Sequence, residues 1–121
     1  MTEKQKIFQE KCIAFSVRCI QLHKELIHRK EYNLSDQLER AATSIGAQYS
    51  EAVYAESDAD LIHKLQIGQK EANETIYWLK LLVRSEWISQ DEYDSLLSDV
   101  EEIMRILSAI LIAVKKRNSN S

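Results

Sequence analysis

An all-α chain folded as an up-down-up-down antiparallel four-helix bundle follows from three features of these 121 residues. Proline is absent and glycine occurs twice, where average chains carry about 5% and 7% of them. Apolar residues recur at helical spacing along four separate stretches. The stretches are joined by only about two to five residues, so consecutive helices must lie antiparallel. The length suits one domain. A hydrophobic content of 45% fills a single core, and 29% charged residues supply a polar surface. β-sandwiches, barrels and glycine-loop nucleotide folds, which need glycine and proline in their turns, are excluded.

The first helix is expected from about Thr2 to Lys30. Phe8, Cys12, Phe15, Cys19, Leu22 and Leu26 recur at spacings of 4, 3, 4, 3 and 4, one stripe on a helical surface. The second is expected from about Leu34 to Ala55, with Leu34, Leu38, Ala41, Ala42, Ile45, Tyr49 and Ala52 as its apolar face. The third is expected from about Asp58 to Glu86, with Leu61, Leu65, Gly68, Ala72, Ile76, Leu79 and Val83. The fourth is expected from about Gln90 to Lys116, with Tyr93, Leu97, Val100, Met104, Leu107, Leu111 and Val114. Ser89 with Glu92 has capping-box spacing, and Ser57 with Asp60 forms a similar pair. Asn33 or Ser35 can cap the second helix, and Thr2 the first. Lys115, Lys116 and Arg117 suit the negative end of the last helix, and residues 118–121 read as a frayed tail. Gly68 and Ala72 would let a neighbouring helix approach closely.

Function is less legible. No apolar run reaches the length of about 18 residues that spans a bilayer. The first 30 residues lack a signal-peptide core. Cys12 and Cys19 lie two turns apart on one helix, roughly 10.5 Å along its axis, too far for a mutual disulfide. Buried free thiols in a reducing cytoplasm are expected. Their place on the core stripe raises a thiol's pKa, which argues against a catalytic cysteine. Glu25-x-x-His28 and Asp60-x-x-His63 resemble the carboxylate–histidine ligands of di-iron bundles. Those ligands sit mid-bundle and face inward, whereas here one pair falls at a helix end and the other at a helix start. There is no phosphate-binding glycine loop and no nucleophile elbow. No enzyme, metal or cofactor is expected.

Two sets of residues lie off the core stripes. Ile13, Ile20 and Ile27 repeat every seven residues, roughly 120° from the first helix's core direction. They form either a self-association seam or the edge of a broad core face. On the third helix Lys64, Ile67, Glu71, Glu74 and Trp78 form a second stripe. The second helix answers with Gln37, Arg40, Ser44, Gln48 and Glu51. Arg40 is expected to pair with Glu71 or Glu74, within or between subunits, fixing register more than adding stability.

Charge is uneven. The four quarters 1–34, 35–60, 61–88 and 89–121 carry +3, −5, +1 and −2, for a net charge of −3. The first is locally basic: Lys4, Lys11, Arg18 and Arg29 lie along one flank of the core stripe. That flank is a candidate nucleic-acid site or a set of long aliphatic stems at the core edge. Repeated around a symmetric assembly, it would gain avidity.

The middle of the chain resembles a known family. Leu34-Ser-Asp-Gln-Leu38 continues into Arg40-Ala-Ala-Thr-Ser-Ile45, Glu51-Ala, Tyr54-Ala-Glu-Ser57, Ala59-Asp60 and Lys64, and ends in Lys70-Glu-Ala-Asn-Glu-Thr75 and Tyr77-Trp-Leu79. This pattern is similar to that of the small four-helix-bundle proteins encoded in 23S ribosomal RNA intervening sequences. The same family includes the accessory variability protein of diversity-generating retroelements. The resemblance covers about residues 8–114 and is most specific over 34–79. This chain has Gln48-Tyr-Ser-Glu-Ala52 where many members have Asn-Ile-Ala-Glu-Gly, and Gly46 where many have proline. The resemblance implies a homopentameric barrel of bundles. For the retroelement branch it also implies a basic surface that meets nucleic acid and a reverse transcriptase; the net charge of −3 departs from that branch. Arg40, Ser44, Glu51, Lys64, Glu71, Glu74 and Trp78 are both motif positions and members of the second stripes. The motif is therefore expected to encode packing and assembly. The leading expectation is a non-enzymatic oligomeric scaffold or adaptor. The alternative is a nucleic-acid-binding accessory factor working with a reverse transcriptase or on ribosomal RNA.

Overall fold

The computed structural model describes residues 1–120 and contains four helices: α1 (Glu3–His28), α2 (Asn33–Val53), α3 (Asp58–Arg84) and α4 (Gln90–Ser119). Each helix packs on its sequence neighbours, and α4 returns to α1, so the helices stand in the order 1–2–3–4 around one core. The result is an antiparallel four-helix bundle. The first and last helices touch each other least. Among the described residues no helix is long and apolar enough to cross a membrane.

The helix starts show which side chains serve the unpaired backbone N–H groups. Thr2 forms a full capping box: its hydroxyl accepts from Gln5 N at 3.1 Å, and the Gln5 amide oxygen accepts from Thr2 N at 2.8 Å. Ser57 Oγ accepts from Asp60 N and Ser89 Oγ from Glu92 N, each at 3.1 Å. The Asp60 carboxylate accepts from Glu56 N instead of closing a reciprocal box. At α2 neither Asn33 nor Ser35 is the cap. Tyr32 holds that position without a side-chain bond. The buried Glu31 carboxylate, one residue further back, accepts from Leu34 N at 2.9 Å and Ser35 N at 2.7 Å. A carboxylate is long enough to reach both donors from outside the helix, and its charge suits the positive end. At the other end of the chain, α4 runs through Ser119. Residues 118 and 119 are therefore helical, and Ser121 lies outside the described residues.

Two chain reversals share one construction. Lys30 N donates to Ile27 O and Glu31 N to Leu26 O; Glu86 N donates to Val83 O and Trp87 N to Leu82 O. This is the Schellman arrangement, which needs a left-handed residue just past the helix end. Glycine usually fills that place. Here Lys30 (φ 69°) and Glu86 (φ 66°) do, in a chain with almost no glycine.

The core stripe of α1 is buried as expected, from Phe8 to Leu26. On α3 and α4 the buried face is rotated by part of a turn. Thr75 and Leu82 join Leu65, Gly68, Ala72 and Leu79, while Leu61, Ile76 and Val83 are only partly buried. On α4, Leu96 and Ile103 are buried and Tyr93, Leu97 and Met104 stand at the edge. Both helices carry two adjacent apolar columns, and the packing of neighbours decides which faces inward. The close helix approach falls at Gly46, not Gly68. A Cβ at Gly46 would lie 3.1 Å from Cys12 Cβ, whereas one at Gly68 would lie an ordinary 3.6 Å from a Leu107 methyl.

Two outcomes follow in chemical denaturation. Lys30→Gly and Glu86→Gly relieve left-handed backbone at exposed positions and should each raise stability by about 0.5–1 kcal/mol; a loss would show that these side chains matter in the turn. Gly68→Ala should gain about 0.5–1 kcal/mol from helix propensity. Gly46→Ala should lose stability despite the same propensity gain, because α1 must move away.

Candidate functional site

Three surfaces carry the residues singled out above. The first is the basic flank of α1, which faces α4. Lys11 Nζ lies 2.6 Å from Glu102, and Arg18 Nη1 lies 2.6 Å from Asp99 while Nη2 donates to Ser95 Oγ at 3.0 Å. Arg29 donates to Trp87 O at 2.8 Å, its guanidinium 5.1 Å from the Trp87 ring centre. The Lys11 ammonium and Glu102 carboxylate hydrogen-bond, which raises the pKa of the first and lowers that of the second. Such exposed pairs add little stability, but they set register along the seam where the helices touch least. Of the four cations Lys4 alone has no ion-pair or hydrogen-bond partner among the described residues. The basic flank is a clasp between the first and last helices. Its partners were not legible in the sequence, because nothing in α1 says that the acidic face of α4 lies opposite.

The second surface is the opposite flank of α1. Ile13 and Val17 are 46% and 44% exposed, and Ile20 and Ile27 are half-buried against the neighbouring helix. Beside them α2 presents only small residues, Thr43, Gly46, Ala47 and Ser50, and the two helices enclose a groove of about 290 Å³. Val17 extends the seam beyond the heptad isoleucines. Its place four residues after Ile13 was the available signal.

The third surface is the polar seam between α2 and α3. Arg40 lies 3.8 Å from Glu71 and 3.6 Å from Glu74 within one chain, in ion-pair range but beyond hydrogen-bond distance. Lys64 lies 3.2 Å from Glu51. The Ser44 hydroxyl donates to Arg40 O at 2.7 Å, so it serves its own helix instead of bridging. The Glu71 side chain is 14% exposed. Burial, followed by the Glu74 carboxylate, pushes its pKa up, while Arg40 pulls it down. Four buried polar atoms have no hydrogen-bond partner among the described residues: Gln48 Oε1, Glu71 Oε2, Glu74 Oε2 and Trp78 Nε1. All belong to the two stripes that define this seam.

The remaining chemistry-bearing groups do not converge. Burial pushes both the Cys12 and Cys19 thiols up to about 12, leaving them protonated and unreactive. Glu25 and Glu92 repel each other across the α1–α4 seam. Among the described residues no three His, Cys, Asp or Glu side chains are arranged to hold a metal ion. One tie was missed in the sequence: His23 of α1 faces Asp36 through Nε2 at 2.7 Å and Glu39 through Nδ1 at 2.5 Å, binding α1 to α2.

The sequence pattern described as "23S rRNA-intervening sequence protein" matches residues 3–109. The chain belongs to this family. Among curated proteins none matches. The chain is similar to one in a crystal structure of a protein of unknown function from the S23 ribosomal protein family of Bacteroides thetaiotaomicron VPI-5482. The two are 46% identical with a TM-score of 0.84, over 86% of this chain and 97% of that one. In this family member the stretch 34–79 carries both the polar seam and the small-residue side of the α1–α2 groove.

The raised Glu71 pKa has a definite sign in stability. Between the ordinary value of 4.5 and the raised folded value, the folded state binds more protons than the unfolded chain. Stability contributed by this group therefore falls as pH rises through that window. Glu71→Gln removes the effect. Thermal melts should show the variant a few degrees more stable at pH 7, with the difference shrinking toward pH 4.5. An equal shift at both values would mean that Glu71 does not hold its proton more tightly when folded.

Proposed function

We propose that this protein is a non-enzymatic scaffold or adaptor that works by assembling with copies of itself, in the ring of five that its family resemblance implies. The observation that carries the reading is the α1–α2 groove. Two apolar side chains, Ile13 and Val17, stand nearly half exposed beside a helix of small residues that another helix could approach closely. Exposed apolar surface arranged along one seam marks an interaction site more often than a chance patch. The polar seam supports the same reading. Buried carboxylate, amide and indole atoms without partners are costly, and a seam that keeps them fits a motif selected for pairing more than for monomer stability. A ring also requires two different surfaces on each copy, one fitting the other around the closed circle. The apolar flank of α1 supplies one of these surfaces.

Contact with RNA or DNA, and through it with a reverse transcriptase or ribosomal RNA, is the second reading. It would draw on Lys4 and on cations away from the clasp, because Lys11, Arg18 and Arg29 already hold partners on α4 or in the turn before it. A basic flank neutralised by Glu102 and Asp99 attracts phosphate weakly. Self-assembly therefore stands first.

Light scattering tests the assembly. Five copies of a 14.1 kDa chain give about 70 kDa. The double variant Ile13→Glu, Val17→Glu should keep its helical circular dichroism and fall to the monomer mass. A wild-type protein that is monomeric at high concentration would defeat the reading.

A further inference from the structure

Among the described residues the α1–α4 ion pairs end at Lys11–Glu102, and a cleft opens toward the start of α1. The cleft between them holds about 490 Å³, within the usual range for small-molecule sites. Its walls are aliphatic: Ile7 from α1, and Ile106, Ala109 and Ile110 from α4. Phe8 and Tyr49 also line it. They are buried and stacked edge to face, with ring centres 4.6 Å apart. The polar groups that line it are few, and most are committed. Thr2 and Gln5 bond each other in the capping box, and Lys11 pairs with Glu102. Lys4 remains, a cation without a partner among the described residues.

We infer that this cleft binds a free fatty carboxylate, its chain along Ile106, Ala109 and Ile110 and its head group at Lys4. Charge and size both select this occupant. An aliphatic tail matches walls that are mostly apolar, and an anionic head matches the single uncommitted charge. A helix of another copy would meet the Ile7, Ile106 and Ile110 side chains here, which hold a neighbouring backbone at a distance. The small residues that permit close helix approach lie instead in the α1–α2 groove on the opposite flank. The inference is independent of self-assembly, since Ile13 and Val17 take no part in the cleft.

Titration calorimetry of the full chain with dodecanoate tests it. Binding should saturate at one molecule per chain, and dodecyltrimethylammonium, with the same tail and the opposite charge, should bind more weakly. Ala109→Trp fills the cleft from an exposed position and should lower dodecanoate affinity by at least about tenfold. Lys4→Gln should lower it about two- to fivefold, as expected for an exposed ion pair. Ile13→Glu with Val17→Glu should leave it unchanged, whatever happens to the mass in solution. The inference is overturned by no saturable binding up to about 1 mM, by equal binding of the cationic amphiphile, or by unchanged affinity in Ala109→Trp. It is also overturned if Ala109→Trp breaks the assembly, which would show a second copy seated in the cleft. Co-sedimentation with phosphatidylglycerol vesicles in the absence of dodecanoate binding would overturn it in favour of a membrane surface.

Discussion

A bundle made of consecutive helices closes only where its last helix meets its first, and that contact has no short connection to enforce it. Here the closure is ionic. Lys11 and Arg18 reach Glu102 and Asp99, and Arg29 caps the seam against Trp87. Much else about the molecule follows from this choice. The basic quarter of the chain and one face of its acidic last quarter neutralise each other. The salt bridges run along the seam where α1 and α4 touch least. Where the pairs stop, toward the start of α1, it widens into the apolar cleft. Lys11 and Arg18, which the charge distribution had marked for nucleic acid, thus stand partly exposed beside carboxylates of the same chain.

The fold was legible because helices announce themselves locally. The α1 stripe from Phe8 to Leu26 has one unambiguous phase, and all six of its residues are buried. Where a helix carries two neighbouring apolar columns, the sequence could not choose between them. Leu96 and Ile103 face inward in place of Leu97 and Met104 because of how α4 meets its neighbours, which no local pattern records. The Glu31 cap was hidden for a similar reason. It depends on a left-handed Lys30 that turns the chain, and lysine does not advertise that conformation. Of the candidate site, the Arg40–Glu71–Glu74 grouping was readable, since helical spacing alone places those residues on facing stripes. The partners of Lys11 and Arg18, and the bridging role of His23, required knowing which helices adjoin.

The polar seam and the α1–α2 groove show how one stretch of chain can serve the core and the outside together. Residues 34–79 span most of α2 and α3, yet their outer columns leave Gln48, Glu71, Glu74 and Trp78 with buried atoms that have no hydrogen-bond partner among the described residues. A protein optimised as an isolated monomer would gain by replacing them with apolar residues of similar size. Retaining them costs stability. Gly46 makes the same point sterically. It lets α1 and α2 approach at Cys12, and that closeness leaves Ile13 and Val17 standing above a floor of small side chains.

The twin reversals at Lys30 and Glu86 bear on how the chain reaches this shape. Each closes a helical hairpin by contacts among residues near in sequence, which incur little loop-closure entropy and form rapidly. The two hairpins can therefore organise separately and then dock through α2 and α3. The α1–α4 seam joins residues some 81 positions apart, as Arg18 and Asp99 are. It demands the longest loop and is rewarded by the fewest contacts. Thermal fluctuation should open the bundle there first, like a book along its unbound edge, with each hairpin a cover that keeps its own shape.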